Sequence, residues 1–301
     1  MKIWTQWPDL ETPQGFTHLA SDLLLPDEAI RAQIEFYVPR YMSGSSSLEV
    51  IKDMKSLKII QSPNAGYDDV LKFLPDGVIL CNAAGVHDVS TAELAIGLSI
   101  AIRRGFNDFF MNQSRGVWVH ERKPSLADSK AGIVGHGNIG RLISSHLQNF
   151  ETEVISFSRS GSDGSLKIDE FDRLLPELDI VILILPLTSE TRHFMNSDRL
   201  SRMKAGSSLV NVARGAVVDT DALMHQLNSG RITAALDVTD PEPLPDGHPL
   251  WCSPNLIISP HVGGDSAAFE PRIKRLIRNQ LGLLAGGEQL MNIVAGPKKV
   301  T

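Results

Sequence analysis

Cysteine is nearly absent: the 301 residues contain only Cys81 and Cys252, far apart and with no second pair. That count excludes a disulfide framework and a cysteine-built metal site, and buried free thiols are the expected state. Long apolar runs are missing too, none approaching the ~20 residues that span a bilayer. Met1–Trp7 lacks the apolar core and small-residue cleavage site of a signal peptide, so the expected compartment is the cytoplasm. Positive charge is not in excess. A formal net charge of −6 gives no electrostatic ground for binding nucleic acid or an anionic membrane surface. Internal repeats and low-complexity tracts are also absent. What remains is a globular composition, 42% hydrophobic and 21% charged, on a chain long enough for two domains with separate cores.

The most informative stretch is Ala131–Gly140. A short apolar run reads as a buried strand; Gly135, Gly137 and Gly140 follow with G-x-G-x-x-G spacing; Arg141–Leu147 reads as a helix. Glycine turns with this spacing also occur for structural reasons, but a strand before and a helix after are what dinucleotide binding requires. Gly135 permits the turn, Gly137 lets a pyrophosphate approach the backbone, and Gly140 lets the helix pack on the strand. The helix start at Asn138 and Ile139 offers unpaired N–H groups to the anion.

Before this turn, residues up to about ninety read as a smaller parallel α/β unit with strands at Lys2–Trp7, Ile34–Val38, Leu57–Gln61 and Val78–Cys81. Two of its loops, Arg40–Gly44 and Ser62–Asp68, follow strands, where α/β folds place ligands. Thr91–Arg115 reads as one long helix capped by Ser90 or Thr91. From 131 onward, strands are expected at Gly132–Gly135, Val154–Phe157, Asp179–Leu185, Ser208–Ala213, Ala234–Val238 and Leu256–Ser259, with helices between them. That pattern is a Rossmann-type doubly wound parallel sheet. A last helix is expected at Ala267–Leu284, with a final segment returning to the first domain; Ser160–Ser165 reads as a loop.

A second absence bears on the cofactor. NAD-binding units carry an acidic residue at the end of the second strand, where it accepts from the ribose 2′-hydroxyl. Here that strand end reads Ser158-Arg159-Ser160. A forked cation between two hydroxyls suits a 2′-phosphate, and no carboxylate is present to repel it, so NADP(H) is favoured over NAD(H).

Further strand ends supply Pro186 to Thr191, Ala213-Arg214, Asp237 to Glu242 and His261 to Gly263. Arg214 suits the carboxylate and carbonyl of a 2-oxo acid. His261 suits proton transfer near neutrality, and Glu242 suits orienting its ring, with Asp240 as a competitor. The nine histidines need few roles: His248 is expected as a turn residue beside Trp251, and His87, His120 and His193 as surface or capping residues. Trp118 and Trp251 are expected in core or interface.

Six blocks in order carry a resemblance over nearly the whole chain: Gly135–Gly140; Pro186-Leu187-Thr188 with Thr191; Asn211–Gly215; Asp237-Val238 with Pro241-Glu242-Pro243; His248–Trp251; and Ser259–Gly264. They make the chain similar to the D-isomer-specific 2-hydroxyacid dehydrogenases. The resemblance implies a catalytic trio at Arg214, Glu242 and His261. It puts the nicotinamide carboxamide on Asp237, and substrate on Arg214, His261 and the Ala65-Gly66 amides. It extends the cofactor site over Gly135, Gly137, Asn138, Ile139, Gly140, Ser158, Arg159, Ser160, Pro186, Thr191, Ala213 and Gly263, with no metal. It also implies a flavodoxin-like α/β substrate domain from residues 1–92 and 268–301, a dinucleotide domain from 93–267, and a homodimer. The Ser158-Arg159-Ser160 ending is similar to the NADPH-preferring glyoxylate and hydroxypyruvate reductases of that family, whereas Asn64-Ala65-Gly66-Tyr67 departs from its usual glycine-valine-rich loop. A non-catalytic dinucleotide sensor of co-repressor type is the alternative on the same fold.

Overall fold

The computed structural model describes residues 1–20 and 25–298. Its strands are β1 (Lys2–Thr5), β2 (Thr17–Ala20), β3 (Phe36–Tyr37), β4 (Ile59–Gln61), β5 (Ile79–Cys81), β6 (Lys130–Val134) and β7 (Glu153–Ser158). They continue with β8 (Leu166–Lys167), β9 (Ile180–Leu183), β10 (Ser208–Asn211), β11 (Thr233–Leu236), β12 (Leu256–Ile258) and β13 (Ile293–Ala295). Two compact units result: Met1–His87 with Ala267–Thr301, and Asp88–Ser266. The last three residues of the expected 268–301 segment lie outside the described residues.

In the larger unit the sheet order is β12-β11-β10-β9-β6-β7-β8 and every pairing is parallel. The chain winds outward from β6 to β7 and β8, then crosses to β9 on the other side. This switch point leaves a crevice at the carboxyl ends of β6 and β9, where open α/β sheets bind ligands. The central strands show why the sheet forms: β9 is Ile180-Val181-Ile182-Leu183, fully buried, as expected of a strand covered on both faces. In the smaller unit the order β2-β1-β3-β4-β5 is parallel and flavodoxin-like, and β13 adds antiparallel to β5. Phe36, Ile59 and Ile79 meet Ile273 and Ile277 of the helix Phe269–Ala285 in its core.

Every expected strand overlaps an observed one, with ends that coincide or differ by one or two residues because backbone pairing, not apolar content, sets where a ladder stops. The edge strands β2 and β8 were not legible: they are short, partly exposed and lack an apolar run. The single helix expected over Thr91–Arg115 is two, Asp88–Arg104 and Phe106–Ser114, broken at Gly105 with φ +68°. Ser90 and Thr91 therefore lie inside the first turn and do not cap it. Cys81 is buried, which pushes its thiol up to about 12, whereas Cys252 is exposed, against expectation. Trp118 is 95% exposed and is not core.

Candidate active site

Each expected site residue of the larger unit lies at the carboxyl end of a strand, on one edge of the sheet: the glycine turn after β6, Ser158–Ser160 after β7, Pro186 and Thr191 after β9, Ala213 and Arg214 after β10, Asp237 and Glu242 after β11, His261 and Gly263 after β12. Six segments far apart in sequence thus converge.

His261 sits in the left-handed region, at φ +55°, a conformation uncommon for a residue with a side chain. Asp237 imposes it. Its carbonyl accepts from the His261 amide (2.7 Å), and its buried carboxylate accepts from Ser259 Oγ (2.6 Å), Val262 N (2.9 Å) and Gly263 N (2.9 Å). Three donors on one carboxylate fix the turn that presents the imidazole. The role the resemblance implies for Asp237, holding the carboxamide, thus falls to a group already committed to shaping the His261 turn.

His261 Nδ1 donates to Glu242 Oε1 at 2.5 Å, while Asp240 stands 3.7 Å from Arg192, so Glu242 is the carboxylate on the ring. That bond leaves the imidazole Nε2 as the nitrogen free to serve a ligand. Burial pushes the Glu242 carboxyl up, but the hydrogen bond and charge of His261, a backbone hydrogen bond at Thr239 and the charge of Arg214 together hold it below its ordinary value. With the folded value below the unfolded one, the stability from this carboxylate is present above the ordinary range and is lost as pH falls through the lowered value. Melting temperatures of wild type and Glu242→Gln are therefore expected to converge in acid; a gap that does not narrow as the pH falls below the ordinary carboxylate range would contradict the assignment.

Arg214 starts a tight 3-10 turn after β10. Asn211, fully buried, holds that corner: its Oδ1 accepts from Ala213 N (3.1 Å) and its Nδ2 donates to Arg214 O (3.0 Å). Gly215 presses directly on the Thr239 carbonyl, which brings the Arg214 and Glu242 segments together. Neither Asn211, Gly215 nor Ser259 was singled out by sequence reasoning as a site-shaping residue. Their signal was present, since all three fall inside the quoted blocks, but spacing alone does not say which side chain braces which.

The glycine turn fits a dinucleotide. A Cβ at Gly140 would lie 2.0 Å from the Gly135 carbonyl oxygen, so only glycine lets the helix Asn138–Gln148 close on β6, whereas a Cβ at Gly137 would meet nothing within 4 Å. The helix start is thus open where an anion would approach, and N–H groups there are unpaired by the helix itself. Arg159 is exposed and has no ion pair among the described residues. Thr191 Oγ1 donates to Pro186 O (2.7 Å) and accepts from Thr188 N (2.7 Å), closing the loop after β9.

Ala65 and Gly66 belong to the smaller unit. There the loop after β4 is pinned by Asn82 Nδ2 donating to Ala65 O (2.7 Å) and by His87 Nε2 to Pro63 O (2.8 Å). His87 is buried and stacks on Phe269, so it braces a loop and is not the surface residue expected. His248 caps its turn as expected, accepting from Leu250 N (3.2 Å). His120 and His193 are exposed.

A dinucleotide-binding sheet with arginine, glutamate and histidine gathered at its carboxyl edge defines a nicotinamide-dependent oxidoreductase. The family profile described as "D-isomer specific 2-hydroxyacid dehydrogenase, NAD binding domain" matches residues 96–263. The chain is similar to a hydroxypyruvate reductase of Thermotoga maritima, 31% identical over 265 residues and 85% of each chain. It is also similar to a glyoxylate reductase of Thermofilum pendens, 32% identical over 254 residues, 79% of this chain and 75% of that one. Among solved structures, the NADPH-dependent glyoxylate/hydroxypyruvate reductase of Sinorhizobium meliloti in complex with NADP and sulfate superposes over 97% of both chains, with a TM-score of 0.82 at 23% identity, which shows the shared fold. The protein belongs to the D-isomer-specific 2-hydroxyacid dehydrogenase family.

Proposed function

We propose that the protein reduces a small 2-oxo acid of the glyoxylate or hydroxypyruvate kind to the D-2-hydroxy acid, with NADPH as reductant and His261 as the proton donor. The observation that carries this reading is the 2.5 Å bond from His261 to Glu242 within reach of the Arg214 charge. A bound nicotinamide dinucleotide supplies the hydride. Gly135 to Gly140, Ser158-Arg159-Ser160, the Pro186–Thr191 loop, Ala213, Asp237 and Gly263 would hold it. The Arg214 guanidinium pairs with the substrate carboxylate and polarises its carbonyl. His261 delivers a proton from Nε2 to the carbonyl oxygen, while Glu242 holds the ring and neutralises the imidazolium. Binding of the carboxylate by Arg214 helps set which carbonyl face receives hydride, hence the D configuration.

The NADPH preference rests on Arg159 and on the serine that stands where an acidic residue would repel a phosphate. Oxidation of NADPH and NADH followed at 340 nm with glyoxylate, hydroxypyruvate, pyruvate and phenylpyruvate tests the whole reading. Turnover is expected with glyoxylate and hydroxypyruvate and with NADPH over NADH; failure with every acid despite dinucleotide binding sinks it.

The same reading includes a homodimer. Phe109, Phe110, Met111, Val117, Trp118 and Val119 expose apolar surface within one short segment of the larger unit, more than a lone soluble surface carries without purpose. A second copy presenting the same segment would bury it across a two-fold axis. Light scattering is expected to return about twice the 32.9 kDa of one chain, and the double variant Phe110→Glu, Trp118→Glu about 32.9 kDa. A wild-type protein of single mass rules the dimer out.

A further inference from the structure

A 2′-phosphate carries up to two negative charges, and Arg159 is one cation. The residues that follow it, Ser160 to Ser165, contain no lysine or arginine, and they include Asp163. We propose that the second cation is Lys167, delivered from eight residues away by the edge strand β8; this rests on the NADPH reading above.

Three observations place it. First, β8 pairs parallel with β7 so that Lys167 is the register partner of Ser158, the residue at the strand end where an NAD-binding unit has its acid. Partners across a parallel pair project to the same face of the sheet, one strand spacing apart. Second, the Lys167 stem lies over the loop itself. A Cβ built at Gly161, φ +65°, would come within 2.7 Å of Lys167 Cγ and 3.2 Å of its amide nitrogen. Glycine at 161 is what lets the lysine run across the loop, and the ammonium lies three bonds beyond that contact. Third, Lys167 is exposed and has no ion pair or hydrogen bond through its ammonium among the described residues, as is true of Arg159. Two exposed cations, one following Ser158 in sequence and one paired with Ser158 across the ladder, neither with a carboxylate partner among the described residues, are an arrangement that an anion would relieve.

The loop between them is ordered for the purpose, not slack. Ser158 Oγ meets Ser165 Oγ at 2.7 Å and accepts from Gly161 N at 3.0 Å; Ser160 Oγ meets Ser162 Oγ at 2.8 Å; Ser165 Oγ donates to Ser162 O at 2.6 Å. His136 Nε2, in the glycine turn, donates to Asp163 O at 3.0 Å, and the Asp163 carboxylate is 3.9 Å from Arg141 Nη1. The one acid of the loop is thereby drawn toward Arg141 and the glycine turn. The cation-bearing end is left with hydroxyls, which donate to phosphate oxygens without adding charge.

The test is titration of the wild type, Lys167→Gln, Lys167→Arg and Arg159→Gln with NADPH and with NADH, read by nicotinamide fluorescence. The ratio of NADPH to NADH affinity is expected to fall about tenfold in Lys167→Gln, as for loss of one charge-assisted hydrogen bond, and to recover in Lys167→Arg. A ratio unchanged in Lys167→Gln but lowered in Arg159→Gln overturns the lysine and leaves the NADPH reading standing. Equal weakening of both dinucleotides by Lys167→Gln shows a merely structural residue and also overturns it. A wild type that does not favour NADPH removes the reading itself, and Lys167 with it.

Discussion

His261→Ala is expected to lower turnover of the 2-oxo acid by about three orders of magnitude, with dinucleotide affinity held within about twofold. The size follows from what is removed. On the proposed reading alanine deletes the proton donor, and water replaces it without orientation. It also leaves Glu242 as a partly buried carboxylate without its ring partner, a negative charge no longer engaged by the imidazole where an anionic substrate would bind. KM for the 2-oxo acid should therefore rise as kcat falls, and the loss in kcat/KM should exceed the loss in kcat. Glu242→Gln separates the two effects: it keeps a hydrogen-bond acceptor on Nδ1 and removes the charge, and a smaller loss of about tenfold to a hundredfold is expected. A dinucleotide sensor behaves differently. Its partner binding would survive His261→Ala, and wild type would show no turnover to lose; that pair of results would transfer the protein to the co-repressor reading.

Gly215→Ala is the second large effect. The new methyl would sit 1.8 Å from the Thr239 carbonyl oxygen, 2.0 Å from its carbon and 2.7 Å from Asp240 N. All three are backbone atoms, so no side-chain rotation relieves the clash and the two strand ends must part. Overpacking of this kind costs about 3 kcal/mol or more, a fall in Tm of roughly 6 to 12 °C for a unit of this size. Activity should suffer beyond the stability loss, because the segments that separate are the ones bearing Arg214 and Glu242, and an ångström of misplacement is costly to catalysis. Gly282→Ala is the control. In the helix Phe269–Ala285 its Cβ meets nothing within 4 Å, so it should be neutral or slightly stabilising. A Gly215→Ala protein that melts and turns over like wild type would show that this contact does not organise the site.

These two residues also mark how far the sequence reaches. The doubly wound sheet, the glycine turn and the functional blocks were legible because each is local: an apolar run of strand length, a glycine where a Cβ would clash, an arginine or histidine just past a strand end. The two helices at 88–104 and 106–114 were read as one because a lone glycine inside an apolar pattern does not announce that its φ is positive. The phenylalanines and methionine of the second helix are exposed although apolar; apolar content says that a side chain prefers burial, not whether this chain or a second copy supplies the cover. Choosing Glu242 over Asp240 needed the fold, since two carboxylates two residues apart differ only in where their turn points them. By itself, then, the sequence determined the class of fold, a nicotinamide-dinucleotide-binding domain and the residue types that gather at the strand ends. Only the tertiary structure decided which of them touch: Asp237 clamping the His261 turn, Gly215 against Thr239, Lys167 beside Ser158. Each is a contact between segments whose separation along the chain carries no record of their distance in space.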